Sequence, residues 1–181
     1  MKKILTIIGS PSKTSINKLL SDCSSNFLKN RSDNMEFESL WLKDVNLPIF
    51  SVDLELAGYP NELKEILDKI KSADGVIFAS PENNSTITVA LKNLLDWLSR
   101  IDMTYLDSKK VLILGTSTGR GGAGKSTEFL SKLVGFGKGE LISTFNLPSF
   151  NRTFDRDTLD FINEEDKNRF EITMNKFNDS F

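Results

Sequence analysis

Apolar residues recur along this chain in two rhythms, and the alternation between them predicts the fold. Short runs rich in β-branched and aromatic residues lie at Lys3–Ile8, Met35–Trp41, Gly75–Ala79, Lys110–Thr116 and Glu140–Leu147. Several are apolar at nearly every position, as strands buried on both faces require. Between them the apolar positions recur every three or four residues, the period of an amphipathic helix. Ser15–Lys29 sets Ile16, Leu19, Leu20, Cys23 and Phe27 on one helical face, and Pro60–Lys71 does the same with Leu63, Ile66, Leu67 and Ile70. Thr88–Ile101 carries Leu91, Leu94, Leu95 and Leu98, widened by Ala90, Trp97 and Ile101. That is more apolar surface than one buried stripe needs, so this helix is either deeply sunk or shared with another subunit. Lys125–Phe136 and Glu164–Phe177 complete the set, the last with Phe170, Met174 and Phe177 in line.

Five strands alternating with five helices predict a parallel sheet covered on both faces, an α/β doubly wound fold in one domain over residues 1–181. Two connections, Lys43–Gly58 and Pro148–Asn163, are longer than compact domains favour. They read as lids, binding loops or subunit contacts as readily as plain surface excursions.

Composition removes whole classes of chemistry. The chain has no histidine and one cysteine, Cys23. Ser-His and Cys-His catalysis, His-ligated zinc, disulfide frameworks and CxxC sites are therefore excluded. Cys23 shares the apolar face of its helix and reads as a core residue. A net charge of -2 without a basic stripe argues against nucleic acid and anionic membranes as partners. The apolar runs are far too short to span a bilayer. The start, Met1–Ile8, imitates a signal peptide but runs straight into Gly9-Ser10-Pro11-Ser12, so we expect an intact first strand in a cytoplasmic protein. Any redox or transfer chemistry then falls to an organic cofactor or to acid and amide side chains.

Three loops at strand ends carry candidate chemistry, because open α/β sheets bind ligands just beyond the carboxyl ends of their strands. Gly9–Asn17 supplies Ser10, Ser12, Thr14 and Ser15 hydroxyls and the Asn17 amide at the positive end of a helix. That suits a phosphate, and it equally suits an ordinary helix cap. Pro81–Ile87 is rich in amide and hydroxyl groups, and its backbone can edge a flat heterocycle or simply cap the next helix. Gly119–Ser126 satisfies GxxxxGK[ST], the phosphate loop of nucleotide hydrolases. Its context differs: Thr116-Ser117-Thr118 intervene after the strand, and no apolar strand ending in Asp follows to hold magnesium. A glycine-rich loop closing over the same ligand as the other two is the alternative.

Together the three loops resemble the NADPH-dependent FMN reductase family, flavodoxin-like proteins that include quinone, chromate and azo-dye reductases. The family's first loop, GSxRxxSxN, is met by Gly9, Ser10, Ser15 and Asn17, with Ser12 at the arginine position. The second, PEYNGSxPGxLKNAxDWxSR, is met by Pro81, Glu82, Asn84, Leu91, Lys92, Asn93, Asp96, Trp97, Ser99 and Arg100. Asn83 replaces the customary Tyr, Ser85 the Gly, and Thr88-Val89 the Pro-Gly. The third, a Ser/Gly-rich turn, is met by Ser117, Gly119, Gly121 and Gly122.

The resemblance implies a flavodoxin-like three-layer sandwich with strand order 2-1-3-4-5. It implies FMN as cofactor, NADPH or NADH as donor, a quinone, flavin or similar small molecule as acceptor, and a homodimer or homotetramer. The cofactor would be held by Ser10, Ser12, Ser15, Ile16 and Asn17 around its phosphate. Pro81, Glu82, Asn83, Asn84, Ser85 and Ile87 would edge the ring, with Ser117, Thr118, Gly119, Gly121 and Gly122 on its other side. No catalytic side chain and no metal are implied, since the flavin itself carries the hydride.

Overall fold

The computed structural model describes residues 1–181, and the five apolar runs pair in it as one parallel sheet. The strands are β1 (Lys2–Ile8), β2 (Met35–Trp41), β3 (Gly75–Ala79), β4 (Lys110–Thr116) and β5 (Glu140–Leu147), in the order β2-β1-β3-β4-β5. The helices are α1 (Ile16–Arg31), α2 (Val52–Ala57), α3 (Asn61–Ser72), α4 (Val89–Ile101), α5 (Gly124–Phe136), α6 (Phe150–Thr153) and α7 (Glu164–Asn178). The expected strands and five long helices all form, with ends shifted by no more than two residues.

Side chains alternate across the sheet, and both faces are apolar, which is why the strands are nearly continuous in hydrophobicity. Leu5, Ile7, Val76, Phe78, Val111 and Ile113 meet α3, α4 and α5 in one buried layer. Ile4, Ile77, Leu112 and Leu114 meet α1 and α7 in the other. The chain leaves β1 towards β2 over the α1 face and returns to β3 over the α3 face. β1 and β3 are therefore neighbours whose outgoing connections diverge, and that divergence opens a crevice at their carboxyl ends.

Three local outcomes differ from the pattern. In α1 the buried side is turned: Asn17, Leu20, Ser21, Cys23, Ser24 and Leu28 face inward, while Ile16, Leu19 and Phe27 are only partly covered. The inward hydroxyls are tolerated because Ser21 donates to Lys18 O (2.7 Å) and Ser24 to Ser21 O (2.8 Å), within the helix itself. Lys43–Gly58 contains α2, six residues capped by the Ser51 side chain and burying none of its own, too short for an apolar period to register.

Pro148–Asn163 contains α6 and a small antiparallel hairpin, β6 (Phe154–Asp155) with β7 (Asp160–Phe161). Its aromatics explain its order. Phe154 and Phe161 pack edge to face at 5.3 Å, and Phe161 reaches Phe145 of β5 (5.9 Å) and Phe170 of α7 (4.8 Å), extending the α1/α7 layer. Cys23 lies in that same layer, where burial pushes its thiol up to about 12, as an inert core residue.

Candidate functional site

The loops after β1, β3 and β4 leave three adjacent strands at the same edge of the sheet. All three candidate loops therefore meet, and side chains bind them to each other.

The first loop is held from three sides. Trp41, at the end of β2, donates its indole N–H to Ser10 O (2.9 Å), and Thr88 donates its hydroxyl to Gly9 O. A side chain at Gly9 would meet Leu91 Cδ2 at 2.9 Å and Ala79 O at 3.2 Å, so only glycine lets the loop cross α4 so closely. Asn17 is 3 % exposed and points inward rather than towards solvent. Its Nδ2 donates to Thr116 O (3.0 Å) and its Oδ1 accepts from Thr116 N (2.9 Å), joining the first loop to the end of β4. Its side chain is thereby committed, and what it presents to the crevice is its backbone N–H. The N–H groups of Ile16 and Asn17 have no acceptor within the chain, as expected in the first turn of a helix.

Hydroxyl orientation follows from the internal bonds. Ser10 Oγ accepts from Ser12 N (3.2 Å), Ser12 Oγ from Thr14 N (3.3 Å) and Ser15 Oγ from Lys18 N (3.3 Å). One acceptor position is filled on each oxygen; the hydroxyls of Ser10 and Ser15 have no acceptor within the chain, while Ser12 Oγ also lies 3.5 Å from Thr14 Oγ1. The loop thus brings hydroxyls to the positive end of α1, with Lys13 as its one cation, a combination that suits an anion.

The second loop is a narrow turn. Asn83 N donates to Thr86 O (2.9 Å) and Thr86 N to Asn83 O (3.1 Å), while Asn84 (φ 49°) and Ser85 (φ 65°) both lie in the left-handed region. Two consecutive residues of this kind make a primed turn, for which Asn-Gly is the preferred pair. Ser85 therefore adopts the backbone of the glycine that the sequence pattern led us to expect there. Ser85→Gly is expected to raise stability by about 0.5–1 kcal/mol, since it relieves left-handed strain at an exposed position. Urea denaturation of the FMN-free protein measures it, and an unchanged midpoint would show that the turn is not strained at Ser85. Thr88, where the pattern has Pro, caps α4 by accepting from Leu91 N (3.1 Å). Ile87 is buried beneath the loop.

Glu82 does not face the crevice with its carboxylate. Its Oε2 accepts from Lys125 N (3.1 Å) and Ser126 N (3.3 Å) at the start of α5, whose own cap residue, Ala123, offers no side-chain bond. This settles the phosphate-loop motif. The helix end where a nucleotide phosphate would lie holds a carboxylate instead. Ser126, the residue that would contact magnesium, is fully buried, shares a hydrogen bond with Ser80 (2.7 Å) and donates to Pro81 O (2.8 Å).

The third loop is anchored to the end of β5 and the chain just beyond it. Ser149 N donates to Gly119 O (2.8 Å), Phe150 N to Ser117 O (3.0 Å) and Asn146 Nδ2 to Gly122 O (3.0 Å). Gly122 (φ 55°) lies on Pro148, whose N would sit 2.8 Å from a Cβ there. Gly121 has open space around it, and Gly119 nearly so, leaving that side of the crevice unobstructed.

The motif on α4 has a different task from ligand contact. Asn93 Oδ1 accepts from Phe50 N (2.8 Å), and Pro48 O accepts from both Asn93 Nδ2 (3.0 Å) and Trp97 Nε1 (2.8 Å). Arg100 Nε donates to both Glu55 oxygens (2.9 and 3.0 Å), a pairing that raises its pKa further, and Asp96 pairs with Lys92. Asn93, Trp97 and Arg100 hold the long Lys43–Gly58 connection on α4. Their partners, absent from any local pattern, were invisible in sequence.

Beside the second loop this connection forms an open recess of about 270 Å³, lined by Ile49, Phe50, Ile87, Val89 and Phe129, with Lys92, Asn93 and Asp96 at its rim. A larger cavity of about 320 Å³ lies between α1 and β2, lined by polar residues such as Ser21, Asp22, Asn26 and Lys29. It shares no residue with the three loops.

The sequence profile of the NADPH-dependent FMN reductases matches residues 2–151, taking in all three loops. This chain belongs to that family. An NADPH:quinone oxidoreductase of Arabidopsis thaliana is 31 % identical over 134 residues, 74 % of this chain and 66 % of the plant protein. A quinone reductase of Escherichia coli (strain K12) is 30 % identical over 135 residues, 74 % of this chain and 70 % of the other. The chain thus spans about two thirds of the length of these family relatives. In fold, a flavoenzyme NAD(P)H:(acceptor) oxidoreductase from Paracoccus denitrificans superposes with a TM-score of 0.78 at 24 % identity, over 99 % of this chain and 96 % of that one. The flavodoxin-like architecture is therefore the family's, reached here with few residues in common.

Proposed function

We propose that this chain is an FMN-dependent NAD(P)H oxidoreductase that reduces a quinone, a flavin or a similar small acceptor. The observation that carries the reading is the meeting of a hydroxyl-rich loop at a helix start, a left-handed amide turn and an unobstructed glycine loop at the β1–β3 crevice. The residues present fit FMN. Ser10, Ser12 and Ser15 donate hydroxyls, and Ile16 and Asn17 donate backbone N–H groups, to its phosphate. Ser12 supplies no positive charge; the dipole of α1 and the hydroxyls attract the phosphate, with Lys13 the one cation of the loop. Pro81 to Ile87 edge the ring through the backbone of the Asn83–Thr86 turn, and Ser117 to Gly122 take its other side.

When bound, FMN supplies hydride acceptance from NAD(P)H at N5 and electron delivery to the acceptor. What remains for the chain is to orient both reactants and exclude water, tasks that need no histidine. The apolar recess beside the turn suits a flat acceptor, with the Lys92 ammonium, paired with Asp96, at its rim.

A homodimer, alone or within a tetramer, is supported by the surface along α4. Ile49, Val89, Met103 and Phe136 are each about three-quarters exposed around this helix, in two apolar recesses that meet at Lys92 and Asp96 and that a second copy would cover. The reading also places the protein in the cytoplasm, where NAD(P)H is regenerated; no helix of the chain is long and apolar enough to cross a membrane.

The deciding experiment is reconstitution with FMN, removal of the excess, an absorbance spectrum, and an NAD(P)H–quinone assay. Retained flavin bands with rapid NAD(P)H oxidation are expected. A flat spectrum would sink the reading, and retained flavin without NAD(P)H oxidation would leave an electron carrier in place of a reductase.

A further inference from the structure

We propose that Glu82 is a positioning residue for the flavin reaction, tying the ring-edge loop to the first turn of α5 through Gly124-Lys125-Ser126. The inference rests on the FMN reading above and assigns the one sequence motif that this reading leaves without a task. Main-chain geometry is its basis. Oε2 of Glu82 accepts two N–H bonds, from Lys125 and Ser126, at the end of a helix that has no cap of its own. A carboxylate there satisfies two orphan donors and meets the positive end of the α5 dipole. The glycine-rich approach to α5 lets a carboxylate from a different strand dock where phosphate-loop proteins hold a nucleotide.

The other contacts run between the same two segments. Ser126 Oγ donates to Pro81 O (2.8 Å) and takes a hydrogen bond from the buried Ser80 (2.7 Å), while Lys125 Nζ lies 3.3 Å from Ser85 Oγ. Ser80, Pro81, Glu82 and Ser85 are thus all gripped by two residues of α5. The Asn83–Thr86 turn closes on itself through its two backbone bonds, which fix its shape but not its place relative to the sheet. Its place is fixed by Pro81 and Glu82 on one limb and by Thr88, bonded to Gly9, on the other. Releasing Glu82 removes two of the bonds on one limb, leaving the Ser126 bond to Pro81, in a turn whose central residues are both left-handed. A ring resting on that backbone would lose its alignment with the donors of the first loop, since sub-ångström placement governs such contacts.

A plain helix cap would behave differently: its loss would lower the stability of α5 and leave flavin affinity alone. The test compares Glu82→Leu with Glu82→Gln, whose amide oxygen still accepts both N–H bonds. FMN dissociation constants are read by flavin fluorescence, and exchange of the Asn83 and Thr86 amides is read in the FMN-free protein. Glu82→Leu is expected to weaken FMN binding about tenfold, which is about 1.4 kcal/mol, and to speed exchange of both amides. Glu82→Gln is expected to restore binding to within threefold of the natural protein. A Leu variant that binds FMN within threefold, or a Gln variant as weak as Leu, overturns the proposal. Should Glu82→Leu fail to fold, Glu82→Ala decides: it removes the same two carboxylate bonds with less bulk, and an FMN affinity within threefold of the natural protein there overturns the proposal equally. If the natural protein takes up no FMN, the reductase reading falls, and the amide exchange still reports whether Glu82 holds the loop.

Discussion

Asn17→Leu is expected to lower the stability of the FMN-free protein by about 2–6 kcal/mol, because it strips two buried backbone groups of their partners at once. Both the N–H and the C=O of Thr116 bond to the Asn17 side chain, and Thr116 is 1 % exposed. β3 ends opposite Leu114, so Thr116 has no strand residue on that side to take over. Leucine fills nearly the same volume, which isolates the polar loss from a cavity. Asn17→Asp is expected to be no better: it keeps an acceptor for Thr116 N–H but sets a carboxylate oxygen against the Thr116 carbonyl. Urea or thermal unfolding without FMN is the measurement. Were Asn17 acting on the ligand alone, these variants would unfold like the natural protein and lose only flavin affinity, and the inward assignment would be wrong.

Trp97→Ala is expected to cost about 3–5 kcal/mol, the range for deleting a fully buried large aromatic. Trp97 is 0 % exposed, and Phe50 and Tyr59 meet its ring edge to face at 5.2 and 6.4 Å. For a chain of this size the loss corresponds to a fall in melting temperature of roughly 6–20 °C. Its second consequence is local. With the indole gone, Leu47–Phe50 keeps only the Asn93 bonds, so the Lys43–Gly58 connection is expected to become the first site of proteolytic nicking. Trp97→Phe separates the two effects. It keeps most of the packing and removes one hydrogen bond, worth about 1 kcal/mol, to a Pro48 oxygen that Asn93 still serves. Unchanged protease resistance in Trp97→Ala would show that the connection is held by other means.

These two residues show where a sequence pattern stops being informative. Trp97 lies in the widened apolar face of α4 and was legible as a buried residue, whereas its bond to Pro48, 49 residues away, was not. Asn17 was legible as a polar residue of a ligand loop. Its actual partner lies 99 residues away, and nothing in the run Ser15-Ile16-Asn17 distinguishes an amide facing a phosphate from one facing a neighbouring strand. Glu82 is a similar case at a separation of 43 and 44 residues from its two donors.

By itself, the sequence determined the five strands, the five long helices and the three loops with candidate chemistry, while the strand order followed only from the family resemblance. The strands, helices and loops rest on short-range regularities, a period of two or of nearly four, glycine and proline at ends, and hydroxyls at helix starts, so each is written within a dozen residues. The chain fold alone decided the rest. It placed α2, α6 and the β6–β7 hairpin, whose few residues hold no full period: α2 is tied to α4 by the Glu55–Arg100 pair, and the hairpin packs on Phe145 and Phe170. It also decided which polar side chains turn inward to bind the loops together and which N–H and O–H groups remain to meet a ligand. A polar group takes whichever partner the completed sheet brings within about 3 Å, and that partner is set by topology rather than by its neighbours in sequence.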